Sequence, residues 1–283
     1  WERGIGDGIT ATFDGNFYGK GKTIKNFNVQ GSADSDKYLC AALFGYTYGG
    51  VTIKNLTINA NIESDANVGA LAVTAQGNVA VDNVTVKGSI KGSEIAGFFQ
   101  YVNAEGTNVT ITNSKNDANL IGTAKTAGFI AYANKNAVIV IDNCVNNGTI
   151  TRVCKQATKC NSDSCCGYNA GAGFIANPDQ DSNVTIKNSV NNGAVTGNAN
   201  VAGFTGYSFG KITLENCVNN GYIELTNSST WAVSAAGLVA MFGNGGNKCH
   251  NQGNNQAWQQ TKTAAASKMA VTVTKENRNM EPV

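Results

Sequence analysis

The chain has 283 residues, of which 42% are hydrophobic and only 14% charged, with a formal net charge of +2. That balance can build a core, but it gathers no Lys/Arg cluster for a nucleic-acid backbone and no apolar run near the roughly 18 residues of a membrane span. The polar surface must come from Asn, Thr, Ser and 33 Gly, with only 2 Pro, a composition suited to many tight turns in one continuous structure.

The chain opens at Trp1 without Met and reads as a processed or excised fragment. From Ala41 onward three short blocks recur in a fixed order. The first is A-G-F-x-x-Y, found as AALFGY from Ala41, VGALAV from Val68, AGFFQY from Ala96, AGFIAY from Ala127, AGFIAN from Ala172, AGFTGY from Ala202 and AGLVAM from Ala236. The second is V-T-I-x-N, starting at Val51, Val79, Val109, Ile139, Val184 and Ile212. The third, N-N-G-x-I, follows at Asn147–Ile150, Asn192–Val195 and Asn220–Ile223. First blocks are 27, 28, 31, 45, 30 and about 34 residues apart. A period near 30 with no helical pattern is the signature of a solenoid.

Each block reads as a strand. In V-T-I the Val and Ile alternate with Thr and Lys, so the aliphatic residues face inward. Gly, Asn and Asp mark the corners. The expected fold is all-β: a right-handed parallel β-helix of about seven to eight coils, each of 27–31 residues. A leucine-rich repeat lacks its Leu spacing here, and a propeller needs a longer period. Residues 1–246 form the expected solenoid, with a Cys-rich insert at 151–171, and 247–283 a C-terminal cap or assembly tail.

One Asn recurs at the same place in successive coils: Asn26, Asn55, Asn83, Asn113, Asn143, Asn188 and Asn216. Stacked amides at a corner form a structural ladder, and this reading takes precedence over glycan attachment at the Asn55 and Asn83 sequons. The sequons at Asn108, Asn147, Asn183 and Asn227 fall elsewhere and are the candidate glycosylation sites.

The stretch Phe13–Val29, FDGNFYGKGKTIKNFNV, resembles the opening coil of right-handed parallel β-helices of the pectin-lyase-like superfamily. The later A-G-F-x-A-Y and V-x-I-x-N-C-x-N-N-G-x-I coils resemble GLUG-like repeats of surface proteins and adhesins. The resemblance covers roughly Phe13 to Asn244. It implies an extracellular adhesion or cell-surface scaffold and brings no catalytic motif with it.

Eight Cys point to an oxidising compartment. Cys154, Cys160, Cys165 and Cys166 crowd the insert, where two disulfides are expected, paired 154–165/160–166 or 154–166/160–165. A zinc site is the alternative, though the spacing lacks a C-x2-C knuckle. Cys144 and Cys217 share an inward column with Leu56, Val84, Ser114 and Ser189. They stand two coils apart, beyond disulfide reach, and are expected to be free buried thiols. Cys40 and Cys249 lie near opposite ends and are not expected to pair.

A β-helix exposes strand edges at its ends. Ala270–Lys275, AVTVTK, reads as a cap strand, or alternatively as a strand added to a neighbouring molecule to build a filament. No metal, cofactor or catalytic residue is assigned. The outward carboxylates Asp82 and Asp142, two coils apart, could serve an inverting polysaccharide hydrolase, but mixed Lys and Asp on a strand face fit a solvated surface better. His250, the only His, lies outside the coils. The outward Thr52, Thr110, Thr185 and Thr213 resemble an ice-binding face, interrupted by Ala80 and Val140. Tyr101, Tyr132 and Tyr207 end the A-G-F-x-x-Y block, either packed at a corner or free to stack surface sugars. The expected role is a non-enzymatic, extracellular surface scaffold whose partners are copies of itself or surface glycans.

Overall fold

The computed structural model describes residues 5, 12–31, 41–65, 67–103, 106–153, 169–198, 200–226 and 235–242. Among them there is no helix. All strands pair in parallel within sheets of 14, 6 and 7 strands. One turn shows the pattern. Thr126–Ala127 enters the six-stranded sheet and Ile130–Ala133 the seven-stranded one. Val138–Asp142, Val145–Asn146 and Ile150–Arg152 then run along the large sheet. The next turn lies directly on it, Ile139 on Val184 and Ile150 on Val195.

The chain is therefore a parallel β-helix. It makes about six turns rather than the seven to eight read from the blocks, because the end blocks belong to partial turns. The opening strand Asn16–Gly31 pairs along Gly50–Ser64, but among the described residues the rest of its turn adds only isolated bridges, Ile5 to Phe44 and Phe13 to Thr47, and the last described rung, Ala235–Phe242, adds only two short strands. The second coil also shifts by one residue: Gly69, not Val68, pairs with Ala96. The insert is shorter than 151–171 at both ends. Ile150–Arg152 and Ala170–Ala172 are solenoid strands, since Thr151 pairs with Thr196 and Gly171 with Thr126. Cys154, Cys160, Cys165, Cys166, Cys40, Cys249 and Ala270–Lys275 lie outside the described residues.

Inward side chains stack on their own kind. Ile53, Val81, Ile111, Ile141, Ile186 and Leu214 form one buried column. Phe98, Phe129, Phe174 and Phe204 form another, with successive ring centroids 4.7, 4.8 and 4.6 Å apart. These separations follow the roughly 4.8 Å between hydrogen-bonded strands.

A third inward column is polar. Asn116, Asn146, Asn191 and Asn219 occupy one register, and each Nδ2 donates to the Oδ1 of the next at 2.7 Å. Each also donates to the carbonyl two residues on, at 3.2, 3.0, 2.9 and 3.0 Å. Asn116, Asn146 and Asn191 are fully buried. These are the first Asn of each N-N-G block, together with Asn116 of the preceding coil.

This ladder explains the Gly of A-G-F. A Cβ on Gly97, Gly128, Gly173 or Gly203 would lie 2.4–2.6 Å from the Oδ1 of Asn116, Asn146, Asn191 or Asn219, the ladder Asn of its own coil. It would also lie 2.2–2.4 Å from the glycine carbonyl of the next rung. The second coil carries Val86 in the ladder column, and there the glycine position is Ala70. The amide and the glycine come and go together.

Cys144 and Cys217 are buried, free thiols, with Ser189 on the rung between them. Ser and Cys do the same work in this column. Each sends its γ atom to the carbonyl two residues back, Ser189 Oγ to Lys187 at 2.7 Å and Cys144 Sγ to Asp142 at 3.3 Å. Burial pushes the Cys144 thiol up to about 12 and the Cys217 thiol up to about 11.

Two outcomes follow from this packing. Gly173→Ala is expected to destabilise by about 2 kcal/mol or more, lowering Tm by at least about 4 °C, whereas Gly50→Ala, which has open space at its Cβ, should leave a thermal melt unchanged. Iodoacetamide at pH 8, followed by peptide mapping, should leave Cys144 and Cys217 unmodified until urea unfolds the chain.

Candidate functional site

Two outward regions collect the groups capable of chemistry: the corner after V-T-I and the junction of the two smaller sheets. At the first, the chain turns through a left-handed residue in each coil. Asn55, Asn83, Asn113, Asn143, Asn188 and Asn216 have φ between 51° and 55°. Asn tolerates this conformation better than other residues with a Cβ, and its amide then reaches the neighbouring coil. Asn83 donates to Asn55 at 2.9 Å, Asn143 to Asn113 at 2.8 Å and Asn216 to Asn188 at 3.2 Å.

Asn26 departs from this column. Lys22 pairs with Leu56, so the first coil turns this corner at Gly19–Gly21, with Lys20 at φ 51°. Asn26 (φ 54°) lies at a second irregularity, between Ile24 and Phe27.

The ladder also passes through both candidate carboxylates. Asn113 donates to Asp82 Oδ1 at 2.7 Å and Asn188 to Asp142 Oδ1 at 2.9 Å, each bypassing the corner Asn of the coil before. Asp82 Oδ1 also accepts from Thr112 Oγ1 at 2.8 Å. These bonds, Asn113 first and Thr112 next, hold the Asp82 carboxyl below its ordinary value of 3.8. The Lys187 ammonium stands 3.4 Å from Asp142 Oδ2. Register places Thr112 between the two Asp. Thr52, Thr110, Thr185 and Thr213 share a column with Ala80 and Val140.

At the second region Tyr101 and Tyr132 lie on adjacent rungs with their rings stacked, 5.5 Å apart and 17° from parallel. Tyr132 donates to Asp179 Oδ2 at 2.6 Å, and Asn134 donates to the Tyr101 hydroxyl. Burial, then the Asp179 bond, holds the Tyr132 phenol well above its usual range. The Lys125 ammonium stands 4.8 Å from the Tyr132 ring centre and pairs with Glu94, whose other oxygen accepts from Gln100 at 2.9 Å. Tyr207 is separate: Asn177 occupies the rung between it and Tyr132, and Tyr207 packs against Phe209. The Tyr101 and Tyr132 rings thus spend their facing surfaces on each other, and their hydroxyls on Asn134 and Asp179.

The buried Asn ladder and the Glu94–Lys125 pair were not picked out from sequence. The pair had a signal, opposite charges 31 residues apart at the same point of successive coils. Of the candidate glycan sites, Asn108, Asn147 and Asn183 are exposed and Asn227 lies outside the described residues. Asn108 donates to Asn78 at 2.9 Å. Asn147 donates to Asp117 at 2.7 Å and accepts from Asn192 at 2.9 Å. Asn183 heads a strand between Val138 and Lys211. No group of three or more His, Cys, Asp or Glu able to hold a metal occurs among the described residues.

No protein-family model and no curated protein matches the chain, so neither a pectin-lyase-like nor a GLUG-like assignment is shown. Among solved structures, the chain is similar to a Bacteroides ovatus protein described as a "putative immunoglobulin A1 protease". The superposition has a TM-score of 0.57 at 19% sequence identity and covers 86% of this chain and 72% of that one. Likeness at that identity is likeness of fold. What the comparison and the coordinates establish together is a parallel β-solenoid.

Proposed function

We propose that the protein is a non-enzymatic extracellular surface or structural protein, an adhesion or assembly scaffold built by coil stacking. The observation that carries this reading is the use made of Asp82 and Asp142. Two rungs apart, roughly 9–10 Å, they sit near the spacing of an inverting glycosidase pair, which is what favours the alternative of a polysaccharide-acting enzyme. Yet each carboxylate is an acceptor in the corner ladder. A general acid needs a raised pKa, and Asp82 is moved the other way. The protease named for the structural neighbour is a property of that protein, and 19% identity does not bring it here.

An extracellular location is supported by the eight Cys. Adhesion to surface glycans is supported by the half-buried Tyr101 and Tyr132, stacked aromatic rings set beside the charged groups Glu94, Lys125 and Asp179.

The full chain, incubated with a panel of polysaccharides, is expected to release no reducing ends; turnover lost in Asp142→Asn would overturn the reading. On a glycan array, saturable binding weakened about tenfold, or about 1.4 kcal/mol, by combining Tyr101→Ala with Tyr132→Ala is the result expected of an adhesin. Acid provides a further test. Because the folded pKa of Asp82 lies below the unfolded one, its contribution to stability is present above the unfolded pKa and lost as pH falls through the folded value. Between pH 5 and pH 2 the wild-type Tm should therefore fall more than that of Asp82→Asn, whose amide oxygen still accepts from Asn113. Equal falls would remove Asp82 from the ladder.

A further inference from the structure

One stacked pair of tyrosines stands on the outside of the coil. The column it belongs to runs Tyr46, Thr74, Tyr101, Tyr132, Asn177 and Tyr207 along the seven-stranded sheet. Thr74 separates Tyr46 from Tyr101, and Asn177 separates Tyr132 from Tyr207. In this column only Tyr101 and Tyr132 therefore fall on adjacent rungs. Their ring centroids are 5.5 Å apart, their planes are 17° from parallel, and both side chains are only half-buried. That separation is within the range of an attractive aromatic pair.

The pair also has a proton acceptor in place. The Tyr132 hydroxyl donates to Asp179 Oδ2 at 2.6 Å, and Gln180 N donates to Asp179 Oδ1 at 2.7 Å. At that distance a carboxylate takes a proton directly. A phenol that loses an electron and keeps its proton carries a full positive charge. The Lys125 ammonium, 4.8 Å from the Tyr132 ring centre, opposes such a charge. Passing the proton to Asp179 as the electron leaves removes the charge and yields a neutral phenoxyl radical.

We propose that Tyr101 and Tyr132 are a site of oxidative modification, joined as dityrosine when a one-electron oxidant, a haem peroxidase with hydrogen peroxide, acts on the protein. Each phenol gives up one electron and its hydroxyl proton, the Tyr132 proton to Asp179 and the Tyr101 proton to solvent. The two phenoxyl radicals couple through a carbon–carbon bond between ring positions ortho to the hydroxyls. As the rings regain aromaticity, each ortho carbon loses its hydrogen and each oxygen regains a proton. In sum, two tyrosines and one hydrogen peroxide give one dityrosine and two waters. The stack holds the second ring in place before the first is oxidised, and the outer, half-buried position lets the rings tilt as the bond closes. The link staples two successive rungs, as a disulfide staples a loop. It follows from the geometry of the pair and does not depend on the glycan reading of the same residues.

The full chain is treated with a haem peroxidase and hydrogen peroxide, and the monomer is separated from cross-linked oligomers. The monomer is expected to gain the blue fluorescence of dityrosine and to lose the mass of two hydrogens. Peptide mapping should find the link between Tyr101 and Tyr132. Tyr132→Phe, which keeps a ring in the stack, should leave the monomer without that link. Asp179→Asn should slow its formation about tenfold or more, because water must then take the proton. A monomer without dityrosine overturns the proposal, as does a link mapped only to other tyrosines. An unchanged rate in Asp179→Asn overturns the role given to that carboxylate. The mapping uses the unaltered protein, so a folding defect in a variant leaves it decisive. Its readout is covalent, so a chain that binds no glycan can still pass it.

Discussion

The constraint on which the molecule depends is that every residue sits about 4.8 Å above a counterpart from one period earlier. A side chain in such a stack must suit its own repetition. Aliphatic and aromatic side chains do, by dispersion, and the Ile and Phe columns need no further explanation. Among polar side chains the primary amide is the one that carries a donor and an acceptor on opposite sides, so Asn can be buried rung upon rung with its bonds satisfied. A hydroxyl manages the same only where backbone groups complete its needs, as Ser114 and Ser189 do by accepting from Val84 N and Cys144 N at 3.1 Å. The buried ladder costs little because it is continuous, and it is continuous because the glycine beside each amide leaves room for it.

The same logic organises the corner. A left-handed residue is required there, and Gly would meet that requirement at a cost in unfolded-chain entropy. Asn meets it and adds a bond to the neighbouring coil. The neighbour need not be Asn: wherever a carboxylate is within reach, the amide donates to it, as Asn113 and Asn188 do. Once recruited, Asp82 is stabilised as an anion and loses the proton affinity an acid catalyst would use. Both carboxylates thus take part in holding the coils in register.

The parallel solenoid was legible because period-2 alternation within V-T-I and a period near 30 between blocks are both carried by apolar residues. The buried amides were not, although the signal was present. The first Asn of N-N-G lies seven residues after the leading Val or Ile of V-T-I, beyond a corner that resets the alternation, and so reads as turn chemistry. Asn26 does not share the corner of Asn55 because the first coil turns there with three residues, Gly19–Gly21, two more than the single Asn55 opposite, and its T-I-K-N run falls after that corner rather than before it. The one-residue shift at Gly69 has a similar cause: GAL stands for AGF where Val86 replaces the ladder Asn. The Tyr101–Tyr132 stack was visible as a recurrence, but its partners were not. Asp179 lies 47 residues from Tyr132, across the 45-residue spacing that breaks the period.

Direction is the property that separates this solenoid from a simple stack of identical layers. The exposed Asn ladders donate toward the amino-terminal end, Asn192 to Asn147 and Asn220 to Asn192 at 2.9 and 3.0 Å, as do the corner amides. The buried ladder donates the opposite way. The core column and the surface columns therefore carry opposed amide dipoles, an arrangement that limits the field each imposes on the other. It also makes the two ends chemically unlike. Toward the amino terminus the buried column closes on Val86, Ile58 and Ile24, which ask for nothing. Toward the carboxy terminus its last member among the described residues is Asn219, an amide beside Gly203. Within the described residues that asymmetry is written in which coils carry glycine beside asparagine.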